Sequence, residues 1–327
     1  MRYLIRRLEF FLVTLWAALT LNFILPRLLP GGPEVALRTR FHGRISSATI
    51  KSLEVALGIN NHDSLLQQYL AYLGNTLHGD FGVSLGFYPQ HVSQVIMLAL
   101  PWTLGLVGTA TIIAFALGTL IGIMGAWRRG GILDSVLPPV FVVMSAFPYF
   151  WVGLLCILIF AVSLGWFPQA FGSSSELSSE FSWAYISDVL YHSILPAFTI
   201  VLTSIGGWIL TMRNNMITTL AEDYIKMARA KGLSPARIML QYAARNAILP
   251  NLVGFAMSLG FVISGALLVE IVFNYPGLGT FLLQAVNNQD FSLMQTLFLL
   301  ITVAVLVAVM AADFLTAWLD PRTRERG

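Results

Sequence analysis

Apolar and polar positions alternate along this chain on the scale of whole helices. Windows without a charged residue run over 10–26, 81–127, 135–175, 189–212, 246–269 and 291–312. A bilayer core takes roughly 20 helical residues. Each window is therefore read as one span, the second and third carrying polar or turn-rich flanks as well. The pattern predicts six transmembrane helices in an all-α polytopic membrane protein, with the fifth span running about 250–273.

One long stretch between spans, 213–250, has the pattern of two helices joined by a tight turn. Residues 221–231 have helix-forming composition, with Leu220, Tyr224, Met227 and Ala228 on one side. Arg229 and Lys231 fall in the last turn, where cations suit the carbonyl end of the dipole. Gly232 sits where a left-handed residue ends a helix, and Ser234 with Pro235 restarts one. The second helix runs towards Asn246, with Ile238, Met239, Tyr242 and Ala243 as its apolar side, and Pro250 stands just inside the next span.

Charge sets orientation. With an inside N-terminus, the inside segments hold fourteen of the nineteen basic residues, six of them in the central stretch: Arg213, Lys226, Arg229, Lys231, Arg237 and Arg245. The other five, Arg27, Arg38, Arg40, Arg44 and Lys51, lie in a long outside segment, which crosses largely regardless of charge. Both termini are expected in the cytoplasm. The composition, 57% hydrophobic and 11% charged, is that of a membrane protein rather than a soluble domain. The net charge of +3 is then a matter of topology and not of nucleic-acid binding. The basic N-terminus does not read as a secretory signal, because its apolar run is too long and no small-residue cleavage site follows.

Residues 30–98 form an outside insertion expected to be helical. One helix is expected over 45–57, and a second is capped by Asp63 with Leu66, Tyr69, Leu70, Leu73 and Leu77 inward. In the second span Gly118 and Gly122 make a small-residue face for close helix approach. Ser145, Pro148, Trp151 and Gly153 cluster in the third, where Pro148 is expected to kink the helix. The fourth carries Thr199, Thr203, Ser204, Gly206 and Gly207. Glu270 is the acidic residue of most interest near the membrane. It reads either as an interface carboxylate at a helix end or as a residue of the outer mouth of a pathway.

Catalytic motifs are absent. The three lysines, Lys51, Lys226 and Lys231, follow Ile50, Ile225 and Ala230, so no Gly-Lys-Ser/Thr phosphate loop exists. His42, His62, His78, His91 and His192 are scattered without metal-ligand spacing, and Cys156, in an apolar span, has no cysteine to pair with in the chain.

Several of these stretches carry a family resemblance. The spacing Glu222, Asp223, Tyr224, then Ala228, Arg229, Ala230, Lys231, Gly232, Leu233, then Arg245, Asn246, Leu249 and Pro250 resembles the "EAA" loop of ABC importer permeases. Its form is that of the dipeptide/oligopeptide/nickel branch, with Tyr242 where many relatives carry His. Shorter elements resemble the same family: 29–33, with Gly32 for the usual Asp, 79–84, 145–153, 164–168, 270–279 and 320–322.

The resemblance implies a type I ABC importer permease fold. Residues 1–29 would be the N-terminus and first span, 30–98 a periplasmic insertion, 99–320 the permease core and 321–327 a cytoplasmic tail. Within the core, 213–249 would be the coupling loop that docks into an ATPase groove. The docking residues would be Glu222, Asp223, Tyr224, Ala228, Arg229, Ala230, Lys231, Gly232, Leu233, Ser234, Pro235 and Arg237, and Glu270 stays, on the reading above, a candidate for the pathway or its outer gate.

A chain of this kind sits in the bacterial plasma membrane, binds no cofactor itself and does not hydrolyse ATP. It pairs with a second homologous permease to form the pathway and rests on two ABC ATPase subunits that hold ATP and Mg. It receives substrate from a periplasmic or lipid-anchored binding protein, and lipid surrounds the spans. The pathway walls would be small and polar residues of spans two to five. Peptides are the implied substrate, with oligosaccharides or nickel as alternatives on the same scaffold. A stand-alone channel or secondary transporter would show an inverted repeat and have no use for a docking loop, and an intramembrane enzyme would need motifs the chain lacks.

Overall fold

The computed structural model describes residues 2–28, 64–174 and 182–319. The helix expected over 45–57 lies outside them, as do the elements at 29–33 and 320–322. Among the described residues the backbone is helical apart from turns and one bridge between Val83 and His91. In chain order come α1 (Arg2–Leu28), α2 (Leu65–Leu77), α3 (Val92–Trp127), α4 (Leu137–Ala146), α5 (Tyr149–Ser163) and α6 (Trp183–Leu220). They are followed by α7 (Asp223–Ala230), α8 (Pro235–Ala247), α9 (Leu249–Gly265), α10 (Leu267–Val272), α11 (Leu278–Asn287) and α12 (Phe291–Leu319).

Four uninterrupted helical stretches of the described residues are long and apolar enough to cross a membrane: Arg7–Leu25, Val92–Trp127, Trp183–Leu220 and Phe291–Phe314. Two bent pairs pass the same test together, α4 with α5 at 99° and α8 with α9 at 50°. Six spans result when each pair counts as one, the number the charge-free windows predict, although the fifth window, 246–269, takes in α9 and only the end of α8. The kink expected at Pro148 is a full break. Phe147 is extended (φ −79°, ψ 139°), as a residue before proline prefers, and α5 restarts on the far side of Pro148. The fifth span is likewise divided, at Ala266.

The chain clusters into two compact units. One comprises residues 1–103 and 276–307. Here Asn22 and Gln295 exchange two hydrogen bonds: the Asn22 amide donates to the Gln295 carbonyl (2.6 Å), and the Gln295 amide donates to the Asn22 carbonyl (2.9 Å). These bonds join α1 to α12. The α2 helix is capped by Ser64, not Asp63, in a capping box with Gln67. Its inward face is Tyr69 and Tyr72, packed on Phe23, with the Tyr69 hydroxyl 2.7 Å from Thr20 Oγ1. Leu66, Leu70 and Leu77, expected inward, are exposed. The polar groups of α1 select the tyrosine face, because only it supplies hydrogen-bonding partners.

In the same unit the buried Asp290 carboxylate accepts from Ser84 Oγ, from the Gly86 N–H (2.8 Å) and from the Leu293 N–H (3.1 Å). It thereby ties the 80–91 segment to the first turn of α12.

The other unit comprises residues 104–275 and 308–327. Its axis is α6, 38 residues and about 57 Å long, well beyond a bilayer's apolar thickness. α3 packs along it through Gly118 and Gly122. A Cβ at Gly118 would lie 2.5 Å from Trp208 Cβ, and one at Gly122 2.8 Å from the Ile209 carbonyl oxygen. The small-residue face read from sequence is thus a backbone-to-backbone contact. α4 crosses the same helix at Gly206, where a Cβ would meet the Phe141 carbonyl at 2.6 Å.

Replacing Gly122 by Leu is expected to destabilise the purified protein by about 1–3 kcal/mol through overpacking. Gly207→Ala, at an exposed position of α6 with open space around its Cβ position, is expected to be neutral or slightly stabilising. Thermal unfolding in detergent measures both. Equal midpoints for the two variants would contradict the contact.

Candidate functional site

The stretch 213–250 folds differently at its start from the sequence expectation and as expected at its turn. Arg213–Leu220 belongs to α6, because the apolar row Ile209, Met212 and Met216 continues the helical period through the charged boundary. The helix breaks at Ala221, Glu222 becomes the extended N-cap of α7, and Asp223 forms an exposed ion pair with Lys226 (2.8 Å). α7 is therefore shorter than the 221–231 expected.

Its buried residues are Ile225 and Ala228. Tyr224 and Met227, expected to pack, are 38% and 60% exposed. The periodicity allowed either row, and the pocket beneath chose the branched Ile225. That pocket is a cluster of Ile123 and Ala126 from α3, Met212 and Met216 from α6, and Ile238, Ala243, Ala244 and Ala247 from α8. Burying Ile225 completely contributes about 1.5–3 kcal/mol. Alanines on α8 keep that helix close to its neighbours.

The turn closes as a Schellman motif. The Gly232 N–H donates to the Arg229 carbonyl (2.9 Å) and the Leu233 N–H to the Ala228 carbonyl (3.3 Å), with Gly232 at φ +70°. Leu233 packs against the cluster beneath. Ser234 is the N-cap residue of α8 and Pro235 its first helical residue. Between the two helices the Asn246 amide donates to the Tyr224 hydroxyl (3.0 Å). The structure thus brings Glu222, Asp223, Tyr224, Ala228, Arg229, Ala230, Lys231, Gly232, Leu233, Ser234, Pro235 and Arg237 into one elbow. Ile225, Ala228, Leu233 and Ile238 form its inner side. Tyr224, Met227, Lys231, Ser234, Pro235 and Arg237 lie on its exposed side, with the Arg237 guanidinium on Gln241 (3.0 Å).

Sequence reasoning missed the anchor of this elbow. Asp134, in the short helix Ile132–Ser135 between α3 and α4, accepts from Arg213 Nε and from the Gly130 N–H (2.9 Å). The Arg213 hydrogen bond, and after it the Gly130 N–H, hold its carboxyl below the usual carboxylate range. The signal available was a lone acid beside Arg128 and Arg129 with a lone arginine at the inner end of the fourth span.

Glu270 is not at a water-facing helix end. It is 0% exposed, and its carbonyl accepts the Tyr275 N–H (2.8 Å) where α10 ends at left-handed Asn274 (φ +45°). Among the described residues no three His, Cys, Asp or Glu side chains converge as a metal site would require.

The profile of the family described as "Binding-protein-dependent transport system inner membrane component" matches residues 118–325. The chain is 34% identical to the oligopeptide transport system permease protein AppB of Bacillus subtilis, over 98% of each. It is 33% identical to the di/tripeptide transport system permease protein DppB of Pseudomonas aeruginosa and 29% identical to the oligopeptide transport system permease protein OppB of Haemophilus influenzae. Both of these matches cover 99% of each chain.

Asp134 generates a pH prediction. A carboxylate whose folded pKa is depressed stabilises fully above its unfolded value of about 3.9, and that stability is lost as pH falls through the folded value. Asp134→Asn should lower stability by about 1–3 kcal/mol at neutral pH. The gap between wild type and variant should stay constant down to about pH 5 and shrink below about pH 4. Denaturation midpoints across that range measure it, and a gap that widens in acid would refute the assignment.

Proposed function

We propose a specific role for this chain, which belongs to the family of inner membrane components of binding-protein-dependent transport systems. It is the permease subunit of an ATP-driven importer whose substrates are peptides, and the elbow of α7 and α8 is where ATPase subunits dock. The relatives named above for oligopeptide and di/tripeptide transport support the substrate class. The observation that carries the docking role is the two-sided elbow: its inner side is packed on α3 and α6, and its outer side presents aromatic, apolar and basic groups.

In this reading a second homologous permease supplies the other half of the pathway. Two ATPase subunits hold ATP and Mg beneath, and a binding protein delivers substrate from the opposite face. Both termini and the elbow lie in the bacterial cytoplasm, by the bias of Lys and Arg. ATP-driven closure of the ATPases displaces the elbow. Because the elbow is capped at its turn and packed at its base, the displacement passes to the spans instead of melting the loop, and the pathway alternates between its two openings. Glu270, enclosed in this structure, would reach the pathway's outer end only through such a change.

Gly232 tests the coupling. Its Cβ position meets open space, so only the backbone conformation resists substitution. A β-branched residue there is strained by roughly 1–2 kcal/mol. Gly232→Val should lower tripeptide uptake by the complete transporter in proteoliposomes at least fivefold, while Gly232→Asn, which tolerates the left-handed region, should keep most of it. Wild-type uptake by an assembled Gly232→Val complex would refute the docking role.

Orientation is read by labelling in a Cys156→Ala background. A thiol at Leu77→Cys, a position 84% exposed, should react with a membrane-impermeant maleimide added outside intact cells. One at Ser234→Cys should react only after the membrane is opened. The reverse pattern would invert the topology.

A further inference from the structure

The break between α4 and α5 opens onto a cavity of about 300 Å³. Ser145, Phe147 and Tyr149 reach it from the break, Thr111 from α3, Thr203 and Ser204 from α6, and Ser258 from α9. Trp208 and Phe261 complete its aromatic surface. No Asp, Glu, Lys, Arg or His lines it.

Two features separate this cavity from a lipid-facing surface. First, the helix break is exposed, with Phe147 showing 47% of its surface. Irregular backbone at membrane depth is tolerated where it is buried in protein or lines a water-filled space, and not against hydrocarbon. Second, five serine and threonine hydroxyls from four helices converge on it. Each donates its proton to its own helix: Thr111 to the Val107 carbonyl (2.7 Å), Ser145 to Val142 (2.8 Å), Thr203 to Thr199 (2.9 Å), Ser204 to Ile200 (2.7 Å) and Ser258 to Phe255 (2.8 Å). With their protons given to the helix backbone, these hydroxyls keep oxygen lone pairs with which to accept. The cavity therefore offers acceptors, aromatic faces and two neutral donor groups, the Tyr149 hydroxyl and the Trp208 indole N–H, with no cation to balance an anion.

We propose that this cleft is the stretch of the translocation pathway contributed by this chain, and that it passes peptides by their amide N–H groups and uncharged side chains. The inference rests on the peptide-importer reading and adds to it a residue-level site and a charge preference. The hydroxyl oxygens accept from N–H donors of the passing chain, and the aromatic faces receive an apolar side chain. A carboxylate side chain finds no cation there, only neutral donors, and has to remain largely hydrated. A volume of this order holds a side chain with its neighbouring amides, at the small end of ligand sites.

The test uses the complete transporter in proteoliposomes and the tripeptides Ala-Phe-Ala and Ala-Glu-Ala. The readout is the ratio of neutral to acidic uptake, so that selection by the binding protein cancels between variants. Ser204→Asp places a fixed negative charge on the wall and should raise that ratio at least tenfold over wild type, by repulsion of the acidic peptide. Ser258→Asp, from a different helix, should shift it in the same direction, and the neutral Ser204→Asn should shift it less than threefold.

In a Cys156→Ala background, the Ser204→Cys thiol should react with a hydrophilic maleimide during turnover, and excess Ala-Phe-Ala should slow that reaction. An unchanged ratio in both Asp variants, with Ala-Phe-Ala still transported, would overturn the cleft while leaving the importer reading intact. So would a thiol labelled only by lipid-soluble reagents, which would mark a groove filled by acyl chains. A wild-type complex that took up neither peptide would overturn the peptide reading and this inference with it.

Discussion

The burial of Ile225 and Ala228 on Met212 and Met216 is the contact the elbow depends on. Without it, α7 is an eight-residue helix with one exposed ion pair, too short to persist alone in water. With it, three successive helices share one apolar floor, and the Schellman turn at Gly232 has a fixed surface to close against. Leu233 adds the hydrophobic contact that such turns commonly carry. Asp134 acts from the side, tying the inner turn after α3 to Arg213. The elbow is therefore an extension of the bundle, held by packing below and by one charged hydrogen bond beside it.

The sequence was informative wherever a residue type has a single conformational use. Gly232, Ser234 and Pro235 named the turn and its restart, and Gly118 with Gly122 named a close helix contact, because nothing larger fits those positions. It was ambiguous wherever several residues could serve. Tyr224 and Met227 compete with Ile225 to share the buried row with Ala228 at nearly the same period, and only the shape of the floor decides. Asp63 and Ser64 are both good caps, and Gln67 settles the choice through its reciprocal bond. The 99° break was legible at Pro148 as a place but not as an angle, since proline permits anything from a kink to a full interruption.

Long-range partners lay beyond the sequence altogether. Ser84 and Asp290 stand 206 residues apart, and Asn22 and Gln295 stand 273 apart. No local pattern joins them, and each becomes intelligible only once the helices that carry it are placed. Glu270 illustrates the same limit. A carboxylate at the end of an apolar window reads as water-facing, yet Glu270 is buried, and the turn at left-handed Asn274 brings the Tyr275 N–H onto its backbone carbonyl.

The length of α6 has a mechanical consequence. Trp208 lines the cleft, and Leu220 is the last residue before the elbow. Between them neither glycine nor proline interrupts the helix, so about 18 Å of stiff rod separates the wall of one from the root of the other. Such a rod works as a fixed-ratio gear. A tilt of about 10° at the wall displaces the root by about 3 Å, on the scale of the small helix shifts that accompany switching between packed states. Slack between the two ends would have to come from unwinding the helix itself.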